Sequence, residues 1–276
     1  MPVRFAQWIE YCGSAFNGWQ SQEQGRNVQD CVEAALSRVA DHPLRVHCAG
    51  RTDAGVHALQ QVIHFDTTAR REAHAWVLGG NVNLPPDVRI LWASPVAEDF
   101  HARFSATGRQ YRYLILNRTA AAAVHHRQVS WECRHLDVGR MQQAACDLLG
   151  EHDFSAFRAV ACQAKSPVRE LRRLDVRRHG DLIIIDASAN AFLYHMVRNI
   201  AGVLMAIGLG RQAVDWAGQV LHSRDRTLGG VTAPADGLYL VGVEYPEACG
   251  LPGLPVSQWL LHHGQAGCGT EQDLPV

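Results

Sequence analysis

The sequence predicts a mixed α and β fold built as two similar halves. Three observations carry that expectation. Segments that alternate apolar and polar residues are interleaved with segments of helical period. The order of those segments over residues 1–104 is echoed over 105–246, with the boundary near 98–108. No low-complexity tract or solenoid-period repeat interrupts them. At 276 residues the chain has length for about two domains with cores of their own, and its composition, 47% hydrophobic and 19% charged, is that of a globular protein.

The elements follow in chain order. VQDCVEAALSRV (28–39) places Val28, Cys31, Val32, Ala35, Leu36 and Val39 on one helical face, with Asn27 positioned to cap it. LRVHCA (44–49) and QQVIHFDT (60–67) read as strands flanking a glycine-bounded loop. EAHAWVLGG (72–80) reads as a helix stopped by its glycines, and VRILWASPV (88–96) as a strand entered after Pro85 and Pro86. With a strand ahead of the first helix, the first half is read as strand, helix, strand, strand, helix, strand. In the second half RQYRYLIL (109–116) is a strand and LDVGRMQQAACDLLG (136–150) a helix stopped at Gly150. VRELRRLDVRR (168–178) and DLIIIDAS (181–188) form a hairpin turning at His179 and Gly180. Helices are expected at 191–208 and 211–222, a closing strand at 237–245, and a loosely held tail over 247–276.

Several function classes are excluded by what is missing. The amino terminus has no basic stretch followed by an apolar core, and the most apolar run, IAGVLMAIGLG (200–210), is too short to cross a bilayer. A cytoplasmic protein without membrane attachment is the expectation. Eight cysteines form no CxxC pair and are read as reduced thiols. No phosphate-cradling glycine loop, dinucleotide fingerprint, HExxH or GxSxG occurs. Fifteen histidines raise the question of a metal, but His125-His126 and His262-His263 are adjacent pairs that cannot both face one ion on a regular element.

The net charge of −1 conceals a local asymmetry. Residues 101–127 carry five arginines and no acid; residues 158–178 carry a balance of +5. Of the 26 basic residues 25 are arginine, and Tyr111 and Tyr113 alternate with Arg109 and Arg112. Arginine forks onto phosphates and tyrosine stacks on unpaired bases, so RNA is a candidate partner beside the plainer reading of solvated strand faces. In AGRTDAGVHA (49–58), Asp53 is either a turn residue bonding its own backbone or a carboxylate nucleophile kept ionised by a nearby arginine. Spacing does not choose between these.

GRTDAGVHA (50–58) strongly resembles the signature loop of the tRNA pseudouridine synthase A family. YCGSAFNGWQSQ (11–22), NVNLPPDV (81–88), FHARFSATGRQYRY (100–113), GEHDFSAFR (150–158), NAFLYHMVRNIAGVLM (190–205) and APADGLYLVGVEYP (233–246) resemble further segments of that family in the same order. The resemblance implies a homodimer of two α/β halves whose antiparallel-type sheets join across a central cleft, the pseudouridine synthase fold. It implies isomerisation of uridines 38, 39 and 40 of the tRNA anticodon arm, without cofactor or metal.

Residue by residue, the resemblance makes Asp53 the nucleophile, attacking C1′ of the ribose or C6 of the uracil. It makes Tyr111 the uridine-site tyrosine that stacks on the base and is a candidate acceptor of the C5 proton. Arg198 becomes the partner of the nucleophile, and Arg51 the arginine that enters the RNA to support a flipped base. Tyr194 stands where relatives often carry histidine. The rival readings are a non-catalytic RNA-binding protein that kept the fold and a metal-dependent hydrolase suggested by histidine number alone.

Overall fold

Strand β1 (Val3–Tyr11) alternates its side chains between two apolar surfaces, and it lies near the edge of one continuous sheet. The computed structural model describes residues 2–160, 162 and 164–252. Helix α1 (Val28–Ala40) follows, then β2 (His47–Cys48), β3 (His57–Thr67), α2 (Ala73–Asn83) and β4 (Val88–Pro95). The second half contributes β5 (Gly108–Leu116), β6 (Ser130–Trp131), α3 (Val138–Cys146), β7 (Gly150–Asp153), β8 (Val168–His179), β9 (Leu182–Ala189), α4 (Met196–Gly208), α5 (Trp216–Ser223) and β10 (Leu238–Glu244).

The sheet runs β4-β1-β3-β10-β5-β9-β8-β7, with β2 on β3 and β6 on β5. Its pairs are antiparallel except β3 with β10 and β5 with β6. The last strand therefore joins the halves: β10 inserts between β3 and β5, and the two sheets become one. Ala58, Leu240, Tyr111 and Ala187 stand side by side across four strands at that seam.

Helices cover one face. Val32, Ala35 and Leu36 of α1 and Trp76 of α2 pack with Phe5, Ile63, Phe65 and Leu240. Met141 of α3, Ile200 and Leu204 of α4 and Val220 of α5 pack with Tyr113, Ile115, Ile183 and Ile185. Tyr111 touches both clusters. On the opposite face Leu59, Leu114, Ile184, Tyr239 and Val241 are closed over by Val129 of the long β5–β6 connection.

Some expectations are corrected. Asn27 occupies the N-cap of α1, but its side chain caps no backbone amide and donates instead to Asp30. Gly79 and Gly80 do not stop α2, which continues to Asn83; side chains there would meet Val39 and Ile90, so these glycines let the helix approach α1 and β4 closely. Gly150 opens β7, and α3 ends earlier, at Cys146. The strand expected over 44–49 is reduced to His47–Cys48. Helix α4 begins at Met196 rather than 191, and α5 at Trp216 rather than 211. Cys249 and Leu251, at the start of the expected tail, pack beside Trp8 and Phe100. The rest of that tail, with Cys268, lies outside the described residues. The described cysteines are all free thiols, and no described helix is long and apolar enough to cross a membrane.

Candidate active site

The loop between β2 and β3 is held from below by the segment after β1. Trp19 N donates to the Thr52 carbonyl (3.0 Å), Gly55 N to the Phe16 carbonyl (3.3 Å), and the Tyr11 and Thr52 hydroxyls are 2.8 Å apart. That approach needs glycine: a Cβ on Gly13 would stand 2.0 Å from the Val56 carbonyl oxygen, and one on Gly18, with φ +103°, 2.7 Å from that of Thr52. Gly13 N also donates to His57 Nδ1 (3.0 Å), whose Nε2 faces the carbonyls of Arg127 and Asp236. Backbone–backbone bonds and small residues thus position the loop, and Asp53 projects from it.

The Asp53 carboxylate meets the second half of the chain. Its Oδ2 is 3.2 Å from His195 Nε2 and 3.6 Å from Arg198 NH1. These are charge contacts rather than hydrogen bonds, and the side chain keeps 21% exposure, enough for a substrate to reach it. Arg198 is anchored separately: its Nε donates to the Ala233 carbonyl (2.8 Å), whose amide returns a bond to the Arg198 carbonyl (3.1 Å). Burial raises Asp53 above the ordinary carboxylate range, against the downward pull of His195 and then Arg198. Burial likewise depresses His195, with the Arg198 charge adding to it and Asp53 opposing.

Tyr111 lies in the same place. Its hydroxyl is 3.7 Å from where a Gly50 Cβ would stand, and its ring meets Phe192 edge-on at 5.1 Å. Burial, and then the Asp53 charge, pushes its phenol well above the ordinary range, so the neutral phenol is the resting form. Arg51 is exposed and makes no ion pair among the described residues. Of the four residues expected from the sequence, the structure brings Asp53, Arg198 and Tyr111 together and leaves Arg51 exposed on the same loop as Asp53.

The family model described as tRNA pseudouridine synthase matches residues 8–105 and 144–246. This chain belongs to the tRNA pseudouridine synthase family. A tRNA pseudouridine synthase A from Nitrosococcus oceani is 61% identical over 93% of this chain and 100% of its own length. One from Alcanivorax borkumensis is 56% identical over 94% and 97%, and one from Vibrio cholerae 51% identical over 94% and 98%. A solved structure, the archaeal box H/ACA sRNP Nop10-Cbf5 complex, is far more distant: TM-score 0.37 and 10% identity, over 86% of this chain and 48% of that one. The matched stretches include Asp53 and Arg198; Tyr111 falls between them.

In this member of the tRNA pseudouridine synthase family the site contains a residue that sequence reading passed over. His195 is as close to Asp53 as Arg198 is, and it was submerged among fifteen histidines. Its spacing was the available signal, since residues three apart at a helix start share a face and Arg198 was already singled out. The exposed Tyr194 ring lies against the His195 imidazole, with centroids 4.0 Å apart.

The two arginine-rich runs behave less uniformly than their sequence implies. Arg112 and Arg177 both bind Asp186, Arg173 binds Asp175, and Arg172 binds Glu170 and Glu244. Arg118 and Arg127 face Asp181 and Asp236. Arg109 is spent inside the fold, tying the carbonyls of Ala49, Arg103 and Asn190 together beside the Asp53 loop. Among the described residues, His, Cys, Asp and Glu form no group of three or more placed to hold a metal ion.

Proposed function

We propose that this chain isomerises uridine to pseudouridine at positions 38, 39 and 40 of the tRNA anticodon stem-loop, with Asp53 as the nucleophile. One observation carries the reading: a partly exposed carboxylate on a loop held by backbone hydrogen bonds stands 3.2 Å from His195 and 3.6 Å from Arg198. The geometry fits an attacking group whose rotamer is set before substrate arrives.

The reaction conserves atoms. Asp53 attacks C1′ or C6, the N1–C1′ bond breaks, and the uracil turns to present C5. The C5–C1′ bond then forms, Asp53 is released, C5 loses a proton and N1 gains one. Arg198 stabilises the charged carboxylate. Tyr111 stacks on the uracil; because its phenol is neutral at rest, it can take the C5 proton only by passing its own proton on. The target carbon is inaccessible in a stacked stem, so the nucleotide is flipped out and Arg51 occupies the space it leaves. The halves 1–104 and 105–246 each supply part of the site, and the working unit is a cytoplasmic homodimer.

The reading is tested by incubating the protein with unmodified tRNA carrying uridines at 38 to 40 and mapping pseudouridine by carbodiimide-dependent primer extension. New stops at those positions with the wild type and none with Asp53→Ala are expected. Product undiminished in Asp53→Ala would overturn the mechanism.

A further inference from the structure

We infer that His195 is a positioning residue for the Asp53 carboxylate, its Nε2 standing 3.2 Å from Oδ2 and fixing the carboxylate's orientation towards the substrate. The inference rests on Asp53 being the nucleophile and deepens that reading.

The backbone at His195 supplies the first argument. It occupies the N-cap of α4 at φ 62° and ψ 5°, the left-handed region. N-cap residues are ordinarily extended, as Asn27 and Asp137 are here. Of the three other non-glycine residues with positive φ, Arg127 lies in the β5–β6 connection and Asp41 and Arg224 sit at helix C-caps, where that conformation is common. His195 therefore adopts an unfavourable backbone at a position that does not call for it. Such strain persists where the surrounding structure holds it, and it concentrates at functional sites.

The side chain supplies the second argument. It makes no capping bond to the helix it begins and reaches instead to Asp53 Oδ2, at 3.2 Å. Tyr194 packs against its ring and orients it. The backbone is held on both sides: the Tyr194 carbonyl accepts from Ala159 N, and the His195 carbonyl accepts from Asn199 N. With His195 and Arg198 both standing beside Oδ2, the carboxylate is restrained before substrate binds.

The charged and titratable groups facing this pair are Arg198, Tyr111 and Tyr194 around Asp53, and Arg198 and Arg226 around His195. Of those facing Asp53, only His195 and Arg198 favour its ionised form. Loss of His195 removes one of the two groups that pull Asp53 towards its ionised form.

The decisive variant is His195→Gly, because glycine adopts the left-handed region freely. Its melting temperature should equal or exceed that of the wild type, while kcat for pseudouridine formation falls at least about 10-fold and KM for tRNA changes by less than about 3-fold. The acid limb of the kcat/KM profile should move to higher pH. His195→Gln, which keeps an N–H at a similar reach, should recover part of the lost kcat. Nitrogen-15 NMR of the imidazole provides a readout independent of turnover: the His195 Nε2 resonance should shift between the wild type and Asp53→Ala. Wild-type kcat in His195→Gly with an unmoved acid limb, or an unchanged imidazole resonance in Asp53→Ala, would overturn the inference. A wild type that forms no pseudouridine would instead defeat the nucleophile reading, and the resonance would still judge the contact.

Discussion

At the scale of single residues, burial opposes the charge on Asp53. Burial raises Asp53, so its folded value lies above its unfolded one. The resulting stability is present below the unfolded value and is lost as pH rises through the folded one. Ionised Asp53 therefore costs the fold stability near neutral pH, and Asp53→Asn should be more stable than the wild type there by about 1 kcal/mol. The difference should vanish towards about pH 3, where both side chains are uncharged. Denaturant unfolding at several pH values measures this, and a less stable variant at neutral pH would refute it. Tyr111→Phe separates ring from hydroxyl: tRNA binding should stay within about 2-fold, while turnover falls by roughly 100-fold or more if the hydroxyl handles the proton. Gel-shift and single-turnover assays distinguish the two, and unchanged turnover would show the hydroxyl to be dispensable.

At the scale of elements, strands β5, β8 and β9 are joined on the face away from the helices by Asp186, which is buried and bound by Arg112 and Arg177 at 2.5 Å each. The two guanidiniums outweigh burial and hold Asp186 below the ordinary carboxylate range, although burial is the largest single effect. Its contribution is present above the unfolded pKa and lost as pH falls through the folded one. Asp186→Asn leaves two cations without their shared partner and should destabilise by about 3 kcal/mol at pH 7, less in acid. Thermal melts at the two pH values check this. How far elements were legible depended on range. The apolar stripe of α1 and the β8–β9 hairpin follow from neighbours a few residues apart, and both stand as expected. The start of α4 was misplaced because the strained His195, held by Asp53 from another half of the chain, ends the irregular segment before it. Gly79 and Gly80 look like stop signals until the helix they pack against is known.

At the scale of the whole molecule, the charge pattern bears on tRNA binding. Of twelve basic side chains in the two runs, six face carboxylates of the chain itself, and Arg109, Arg169 and Arg178 donate to carbonyl groups. Arg103, Arg158 and Lys165, together with the exposed Arg51, are the groups best placed to release counterions. The slope of log K against log salt for tRNA should then be about −3, far shallower than twelve phosphate contacts would produce. Filter binding from 50 to 300 mM salt (about a 6-fold range) tests this, and a slope near −8 would mean that the internal ion pairs open on binding.

The order and kind of the main elements, and Asp53, Tyr111, Arg198 and Arg51 as candidates, were determined by the sequence by itself. Periodicity is a short-range signal, and a motif preserves residue identity without geometry. Tertiary structure alone decided that β10 joins the halves, that His195 shares Asp53 Oδ2 with Arg198, and that half of the basic runs is neutralised internally. Each of those is a pairing between distant segments. Burial there sets the strength of a charge contact, and composition along the chain carries no record of which partner arrives.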